Sequence, residues 1–157
     1  MVKRPKKLLE KCLALALFAE KSSEKGDIMK EEKYVKDIMT KDLVTIDHES
    51  TVLEACQLMA DHKIGAVVIL SPIKEAIGIF TERDLLNRVV SKDKPHSDKV
   101  KDHMTPNFVC VQAEDELEGL AKIMIDGNFR HLPVADGHDI VAMLSIRDIV
   151  KHFLYYS

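Results

Sequence analysis

The sequence lacks the features by which most enzymes, metalloproteins and membrane proteins are identified. It contains no tryptophan, no Walker phosphate-binding loop and no metal-ligand spacing such as H-E-x-x-H. No Ser-His-Asp order has motif support, and no apolar run reaches the ~18 residues needed to cross a bilayer. We therefore expect no catalytic residues, no bound metal and no membrane partner. A composition that is 46% hydrophobic and 31% charged is instead typical of a folded globular chain.

The chain also has few cysteines and a small net charge. Cys12, Cys56 and Cys110 form an odd set without a C-x-x-C pair, so we expect reduced, buried thiols and a cytoplasmic location. A net charge of −3 gives no electrostatic basis for a nucleic-acid partner. The 157 residues suffice for one ordinary domain or two very small ones.

The first 33 residues differ in character from the rest of the chain. Basic residues lead into an apolar stretch that predicts a helix with a broad apolar face, which includes Leu9, Leu13 and Ala16. Glu10 and Lys11 interrupt the stretch, which argues against a signal peptide. We expect this helix to add to an interface between two copies of the chain, and a targeting role stays open as the alternative.

The remaining sequence repeats itself. VKDIMT at residues 35–40 returns as VKDHMT at residues 100–105, and GIFTERD at 78–84 returns as AMLSIRD at 142–148. An internal repeat indicates architecture more strongly than any single motif. The chain is therefore expected to contain two related units.

Each repeat has the same order of predicted elements, which is strand, helix, strand, strand, helix. A unit of ~50 residues buries too little apolar surface alone, so we expect an α+β fold in which two units pack sheet to sheet with pseudo-twofold symmetry. Thr51 or Ser50 with Glu54 predicts a capping box on the first helix, and Asp115 with Glu118 takes those places in the second repeat. The predicted strands are 44–46, 64–70, 77–80, 108–111, 132–135 and 140–144. The predicted final helices of the two repeats are 82–90 and 146–154. The expected parts of the chain are an N-terminal helix with its linker at 1–33, a first unit at 34–92 and a second unit at 93–157.

The hydroxyl and the aspartate of each repeated string permit two interpretations. Thr81 with Asp84, and Ser145 with Asp148, fit a capping box, in which a hydroxyl and an acid exchange hydrogen bonds with the backbone at a helix start. The same atoms suit a nucleotide, because free amides at a helix start attract phosphate and the acid can accept from two ribose hydroxyls. On spacing alone the capping interpretation is favoured.

Three further residues of the first repeat fit the nucleotide interpretation. Gly78 lacks a Cβ and would let a ligand come close to its strand. Arg83 and Arg88 could neutralise phosphate charge. The alternative for both arginines is a solvated charged face, and for Arg88 that alternative is favoured.

The repeated V-K-D-x-M-T and G-h-x-T-x-x-D strings, with the order of elements, resemble the cystathionine-β-synthase (CBS) domain pair, or Bateman module. The resemblance covers residues 34 to about 154. It implies a regulatory module without an obligatory cofactor that senses an adenosine ligand, AMP, ADP, ATP, NAD or S-adenosylmethionine, in clefts between the two units. It also implies a flat homodimer that signals by changing shape or by binding an effector protein.

The resemblance assigns roles to individual residues. In this family the motif hydroxyl meets phosphate and the motif aspartate holds the ribose, and a polar residue on the strand after DIMT lies near the ligand. The start of the middle strand lies by the adenine. The matching residues are Thr81, Asp84, Thr45, Ile64, Gly65 and Ala66 in the first repeat, and Ser145, Asp148, Cys110, Phe129, Arg130 and His131 in the second.

The two sites are not equivalent in sequence. The second has Ala142 in place of Gly78 and Cys110 in place of Thr45. A methyl group narrows the cleft and a thiol is a weak donor, whereas Arg130 could add phosphate contacts. We expect both sites to be competent. The alternative function is a structural or oligomerisation module with vestigial pockets, and an enzyme of unknown type ranks last.

Overall fold

A computed structural model describes Val2–Lys3 and residues 34 to 156, so the expected N-terminal helix lies outside the described residues. The strands are Val2–Lys3 (β1), Thr45–Asp47 (β2), Ala66–Leu70 (β3), Ala76–Thr81 (β4), Thr105–Pro106 (β5), Val111–Gln112 (β6), His131–Asp136 (β7) and Asp139–Ser145 (β8). The helices are Val35–Ile38 (α1), Val52–His62 (α2), Glu82–Asp84 (α3), Val100–His103 (α4), Leu117–Asp126 (α5) and Ile146–Tyr156 (α6). After α3 the chain stays helical, as a π-helix over Leu85–Val89 and a 3-10 turn over Val90–Lys92.

The described chain forms two compact units. One contains residues 43–108, and the other contains residues 34–42 and 109–156. The first has a sheet in the order β2–β3–β4–β5, in which β2 and β3 are parallel and the other pairs are antiparallel. Helix α2 makes the crossover that the parallel pair requires.

The second unit repeats this arrangement. Strand β6 is parallel to β7, β7 is antiparallel to β8, and α5 makes the crossover between β6 and β7. Two mixed sheets with helices confirm the expected α+β class. The packing of one sheet on the other stays a prediction.

The V-K-D-x-M-T segments do not pack on the repeats that follow them. Val35 is fully buried in the second unit, where the backbone of Thr40 exchanges hydrogen bonds of 3.0 and 3.2 Å with Met143. Val100 is fully buried in the first unit, where its amide donates to the carbonyl of Ser50 at 2.8 Å. Each compact unit is therefore built from both repeats.

Each unit has its own apolar core. The predicted helix stripe of the second repeat, Leu117, Leu120, Ile123 and Met124, is buried throughout. Strand β3 is buried at all five positions, so both of its faces are covered. The first core contains Val52, Ala55, Met59, Val67, Ile69, Phe80, Val89 and Val100.

The capping box of α2 is confirmed. The hydroxyl of Thr51 accepts from the amide of Glu54 at 3.1 Å, and the carboxylate of Glu54 accepts from the amide of Thr51 at 2.6 Å. These donors favour the ionised acid, so the Thr51 amide and then its hydroxyl lower the pKa of Glu54.

Two details of the second repeat were predicted wrongly. Its first strand is Val111–Gln112 and begins later than residue 108. Asp115 does not cap α5, because Glu116 precedes the helix and the Asp115 carboxylate accepts from the amide of Gln112 at 2.8 Å. The acid closes the turn before the helix, a competing use of aspartate that spacing alone does not reveal.

Among the described residues, no helix has the length and apolar character that crossing a bilayer requires.

The exchange of segments between repeats predicts a specific loss of stability. Val100→Ala should lower the free energy of unfolding by roughly 1.5–3 kcal/mol, because two buried methyl groups are lost and a cavity remains. Ile125→Ala, at a side chain 72% exposed, is the matched control and should change it by less than ~0.5 kcal/mol. Urea unfolding of both variants is the measurement. Equal effects would show that residue 100 does not pack in the first core.

Candidate functional site

The first repeated string crosses from β4 into α3. The Thr81 hydroxyl accepts from the amide of Asp84 at 3.2 Å, and Asp84 Oδ2 accepts from the Thr81 amide at 3.0 Å and from its hydroxyl at 2.8 Å. Thr81 itself is extended, as residues that precede a helix are. The capping interpretation of this string is therefore confirmed.

The other carboxylate oxygen of Asp84 is also bound within the unit. Asp84 Oδ1 accepts from the Thr105 hydroxyl at 3.0 Å and lies 3.3 Å from Nε of Arg88. The Arg88 guanidinium also donates to the carbonyls of His103 and Met104 and to the Thr105 hydroxyl. We call these contacts of Arg88 and Thr105 the Asp84 clamp.

The clamp changes the interpretation of Arg88. The side chain is 42% exposed, but its guanidinium is bonded to internal groups and is not part of a purely solvated face. It ties the helix after the motif to the segment that contains α4 and β5. Arg83, the other arginine expected near phosphate, lies half-buried in α3.

Gly78 has a different role from the one expected. It is buried and pairs with Ile69 on one side and Pro106 on the other. A Cβ placed there would lie 2.4 Å from Sδ and 2.9 Å from Cγ of Met104. The Met104 side chain fills the space left by the missing Cβ, and the approach of a ligand to the strand at this glycine stays a prediction.

The second string forms the same box at the start of α6. The Ser145 hydroxyl accepts from the amide of Asp148 at 3.2 Å, and Asp148 Oδ2 accepts from the Ser145 amide at 2.9 Å and from its hydroxyl at 2.5 Å. Within residues 34–156, no hydrogen bond reaches Asp148 Oδ1. Asp148 is half-buried, whereas Asp84 is only 7% exposed. Ala142 is fully buried opposite Val134.

The starts of the middle strands lie beside both motifs, and their expected position next to an adenine stays a prediction. The carbonyl of Gly65 accepts from the amide of Glu82 at 3.1 Å, and Ala66 pairs with Thr81. Equivalent contacts join the carbonyl of Arg130 to the amide of Ile146 at 2.9 Å and pair His131 with Ser145. The Arg130 side chain is exposed, and Ile64, Phe129 and His131 are half-buried.

The two residues expected on the first strand of each unit have different surroundings. Thr45 is half-buried on β2 and pairs with Val68. Cys110 is fully buried just before β6 and is disulfide-bonded. The expectation that every cysteine is reduced is therefore wrong for Cys110, and the cysteines no longer support a cytoplasmic location. Cys56 is a free thiol whose pKa is raised by burial.

Met104 and Thr105 were not predicted as neighbours of the first motif. The signal was present, because both lie in the repeated V-K-D-x-M-T segment, but that segment was used only to define the repeat. In the described part of the chain no group of three or more His, Cys, Asp or Glu residues could hold a metal ion.

Comparison with known proteins gives consistent results. The family model described as CBS domain matches residues 35–91 and 100–155. Uncharacterized protein MK0525 of Methanopyrus kandleri is 33% identical over 119 residues, which are 74% of this chain and 61% of that protein. The chain thus spans less than two thirds of this relative's length.

Two solved structures extend the comparison. The CBS-domain containing protein ATU1752 from Agrobacterium tumefaciens aligns with a TM-score of 0.73 and 34% identity, over 80% of this chain and 98% of that chain. CBSX2, solved in complex with AMP, aligns with a TM-score of 0.65 and 25% identity, over 78% of this chain and 96% of that chain.

The Asp84 clamp predicts a large effect at an exposed side chain. Arg88→Ala should lower the free energy of unfolding by about 1–3 kcal/mol, because a buried carboxylate loses its charged donor. Lys151→Ala, at an exposed cation of α6, should change it by less than ~0.5 kcal/mol. Thermal and urea unfolding measure both. If Arg88→Ala costs no more than the control, the guanidinium does not hold Asp84 in solution.

Proposed function

Because this chain belongs to the CBS domain family, we propose that it is a regulatory module that binds an adenosine-containing nucleotide at a repeated hydroxyl–aspartate motif. Binding is proposed to act through a change of shape or of partner affinity, and not through catalysis. The observation that carries the proposal is the start of α6, where the capping box is complete and, among residues 34–156, no group donates to Oδ1 of Asp148.

The chemistry of this helix start suits a nucleoside phosphate. Although the amides of Ile146 and Asp148 already have partners, the Arg130 carbonyl and the Ser145 hydroxyl, the start of this 11-residue helix carries partial positive charge. Phosphate oxygens are favoured there. Asp148 Oδ1 has two lone pairs, which match the two hydroxyl donors of a ribose.

The exposed arginine next to the helix supports the same assignment. The Arg130 carbonyl binds the amide of Ile146, the first residue of α6, at 2.9 Å. Its guanidinium is therefore carried on backbone that adjoins the helix start, where it can pair with phosphate. CBSX2, which resembles this chain, has been solved with AMP, and this adds support for an adenosine ligand.

The phosphate part of the proposal predicts that AMP binds at least about tenfold more tightly than adenosine, because charged hydrogen bonds contribute ~1.5–3 kcal/mol each. Raising the salt should narrow this difference, since partly exposed ion pairs are screened over ~8–10 Å. Calorimetric titration at low and high salt measures both effects.

Arg130→Ala should flatten the salt dependence of AMP affinity, whereas Lys122→Ala, at an exposed cation on α5, should leave it unchanged. Equal affinities for adenosine and AMP would remove phosphate from the recognition. No binding of AMP, ADP, ATP, NAD or S-adenosylmethionine would refute the nucleotide function.

A second candidate function, a homodimerisation module, is favoured by a specific surface feature. Leu86 and Val90 are 59% and 53% exposed, and Val150 and Leu154, at the equivalent positions of the second repeat, are 48% and 72% exposed. Each pair is spaced by four residues and so lies on one side of its helix. Apolar side chains repeated in this way are typical of a surface that another subunit covers.

The dimer proposal predicts that Leu86→Glu combined with Leu154→Glu shifts the chain toward monomer, because both charges would be buried in the interface. Ile73→Glu, at a loop residue 73% exposed, is the control and should leave the association constant unchanged. Sedimentation velocity over a concentration series measures the association constant of each variant. A wild-type chain that sediments as a monomer throughout would contradict the proposal.

A further inference from the structure

The two motifs of the chain differ in how much of their aspartate is already used. We propose that the Asp84 clamp closes the first motif to ligand, so that the chain binds one nucleotide, whose ribose hydroxyls are held by Asp148. This inference rests on the proposed function and narrows it to one of the two motifs.

Both carboxylate oxygens of Asp84 already have partners within the unit, through three hydrogen bonds and one ion pair. An ionised carboxylate offers about four lone-pair sites, two on each oxygen. On Oδ2 the amide and the hydroxyl of Thr81 occupy both sites, at 3.0 and 2.8 Å. On Oδ1 the Thr105 hydroxyl lies at 3.0 Å and Arg88 Nε at 3.3 Å. A ribose could bind Asp84 Oδ1 only by displacing the Thr105 hydroxyl and separating the ion pair with Arg88.

The acceptor capacity of Asp148 is half used. Within residues 34–156, the amide and the hydroxyl of Ser145 both donate to Oδ2. Among residues 34–156, none donates to Oδ1. A diol bound at Oδ1 would therefore displace no hydrogen-bonded group of residues 34–156 and would leave the capping box intact.

The difference between the motifs comes from side chains and not from the backbone. Thr105 pairs with Ile79 beside the first motif, and Thr40 pairs with Met143 at the equivalent place beside the second. Within the described chain, the Thr105 hydroxyl binds Asp84, whereas the Thr40 side chain is exposed and makes no hydrogen bond to Asp148. The shared backbone pairing alone does not close a motif.

The residue four positions after each aspartate explains the contrast. Arg88 reaches Asp84, the Thr105 hydroxyl and the carbonyl of Met104 together, because a guanidinium has five donors in a fixed fork. The equivalent residue after Asp148 is His152, whose shorter ring has at most two donors. Only arginine can bridge the aspartate and the neighbouring segment in this way.

The packing at Gly78 strengthens the closure of the first motif. Met104 occupies the space beside this glycine, and the same residue offers its carbonyl to Arg88. The segment that contains Met104 therefore both fills the space beside Gly78 and is bonded to Arg88 of the clamp. For a ligand to enter the first motif, the packing of Met104 on Gly78 and the hydrogen bond from Arg88 to the Met104 carbonyl must both be broken.

The test is calorimetric titration of AMP into the full chain and its variants, with folding checked by circular dichroism. Wild type should bind one AMP per chain. Asp148→Asn, which keeps an acceptor oxygen for the cap, should weaken binding by roughly 10- to 150-fold, the range for charged hydrogen bonds. Arg88→Gln combined with Thr105→Val should raise the stoichiometry toward two, because Asp84 Oδ1 becomes open. Thr40→Val is the matched control and should leave both quantities unchanged.

The results of this titration distinguish a failure of this inference from a failure of the proposed function. Two AMP per wild-type chain, or binding that is lost in Asp84→Asn and kept in Asp148→Asn, would overturn this inference and leave the proposed function in place. A stoichiometry that stays at one in the folded double variant would overturn the clamp as the cause of closure. If neither wild type nor the double variant binds AMP, ADP, ATP, NAD or S-adenosylmethionine, the proposed function fails and this inference fails with it.

Discussion

The reciprocal hydrogen bonding between a hydroxyl and an aspartate at a helix start is the interaction on which both units depend. In each unit it joins the last strand of the repeat to the final helix and fixes the direction in which the chain leaves the sheet. It satisfies amides that would otherwise lack partners. It also orients a carboxylate at the helix start, so a structural requirement places the group that a nucleotide would use.

The exchange of short segments between the repeats determines what surrounds each box. Because α4 and β5 pack on the first unit, Met104 and Thr105 lie beside Gly78 and Asp84. The equivalent segment at Thr40 packs on the second unit but leaves Asp148 Oδ1 open within the described residues. The two repeats thus form motifs with the same backbone pairing, but the aspartates differ in how many protein groups of the described chain bind them.

Much of the fold could be predicted from the sequence because it depends on local patterns. Alternating and stripe patterns located the strands and the buried face of α5, and the Thr51 and Glu54 spacing identified a capping box that the structure confirms. Asp115 was misassigned because aspartate caps turns as readily as helices. The clamp was not predicted, since it includes hydrogen bonds between residues 15 to 21 positions apart, whose meeting depends on strand pairing. The contact of Met104 with Gly78 was not predicted for the same reason, because Met104 comes from the other repeat.

The central claim is that a nucleotide binds at the start of α6 and not at the start of α3. The most direct measurement is the change of backbone amide chemical shifts in a ¹⁵N-labelled chain titrated with AMP. We expect saturable shifts for Ile146, Arg147, Asp148 and Arg130, with the amides of Glu82, Arg83 and Asp84 little changed. Shifts confined to residues 82–84, or no saturable shifts in either motif, would contradict it.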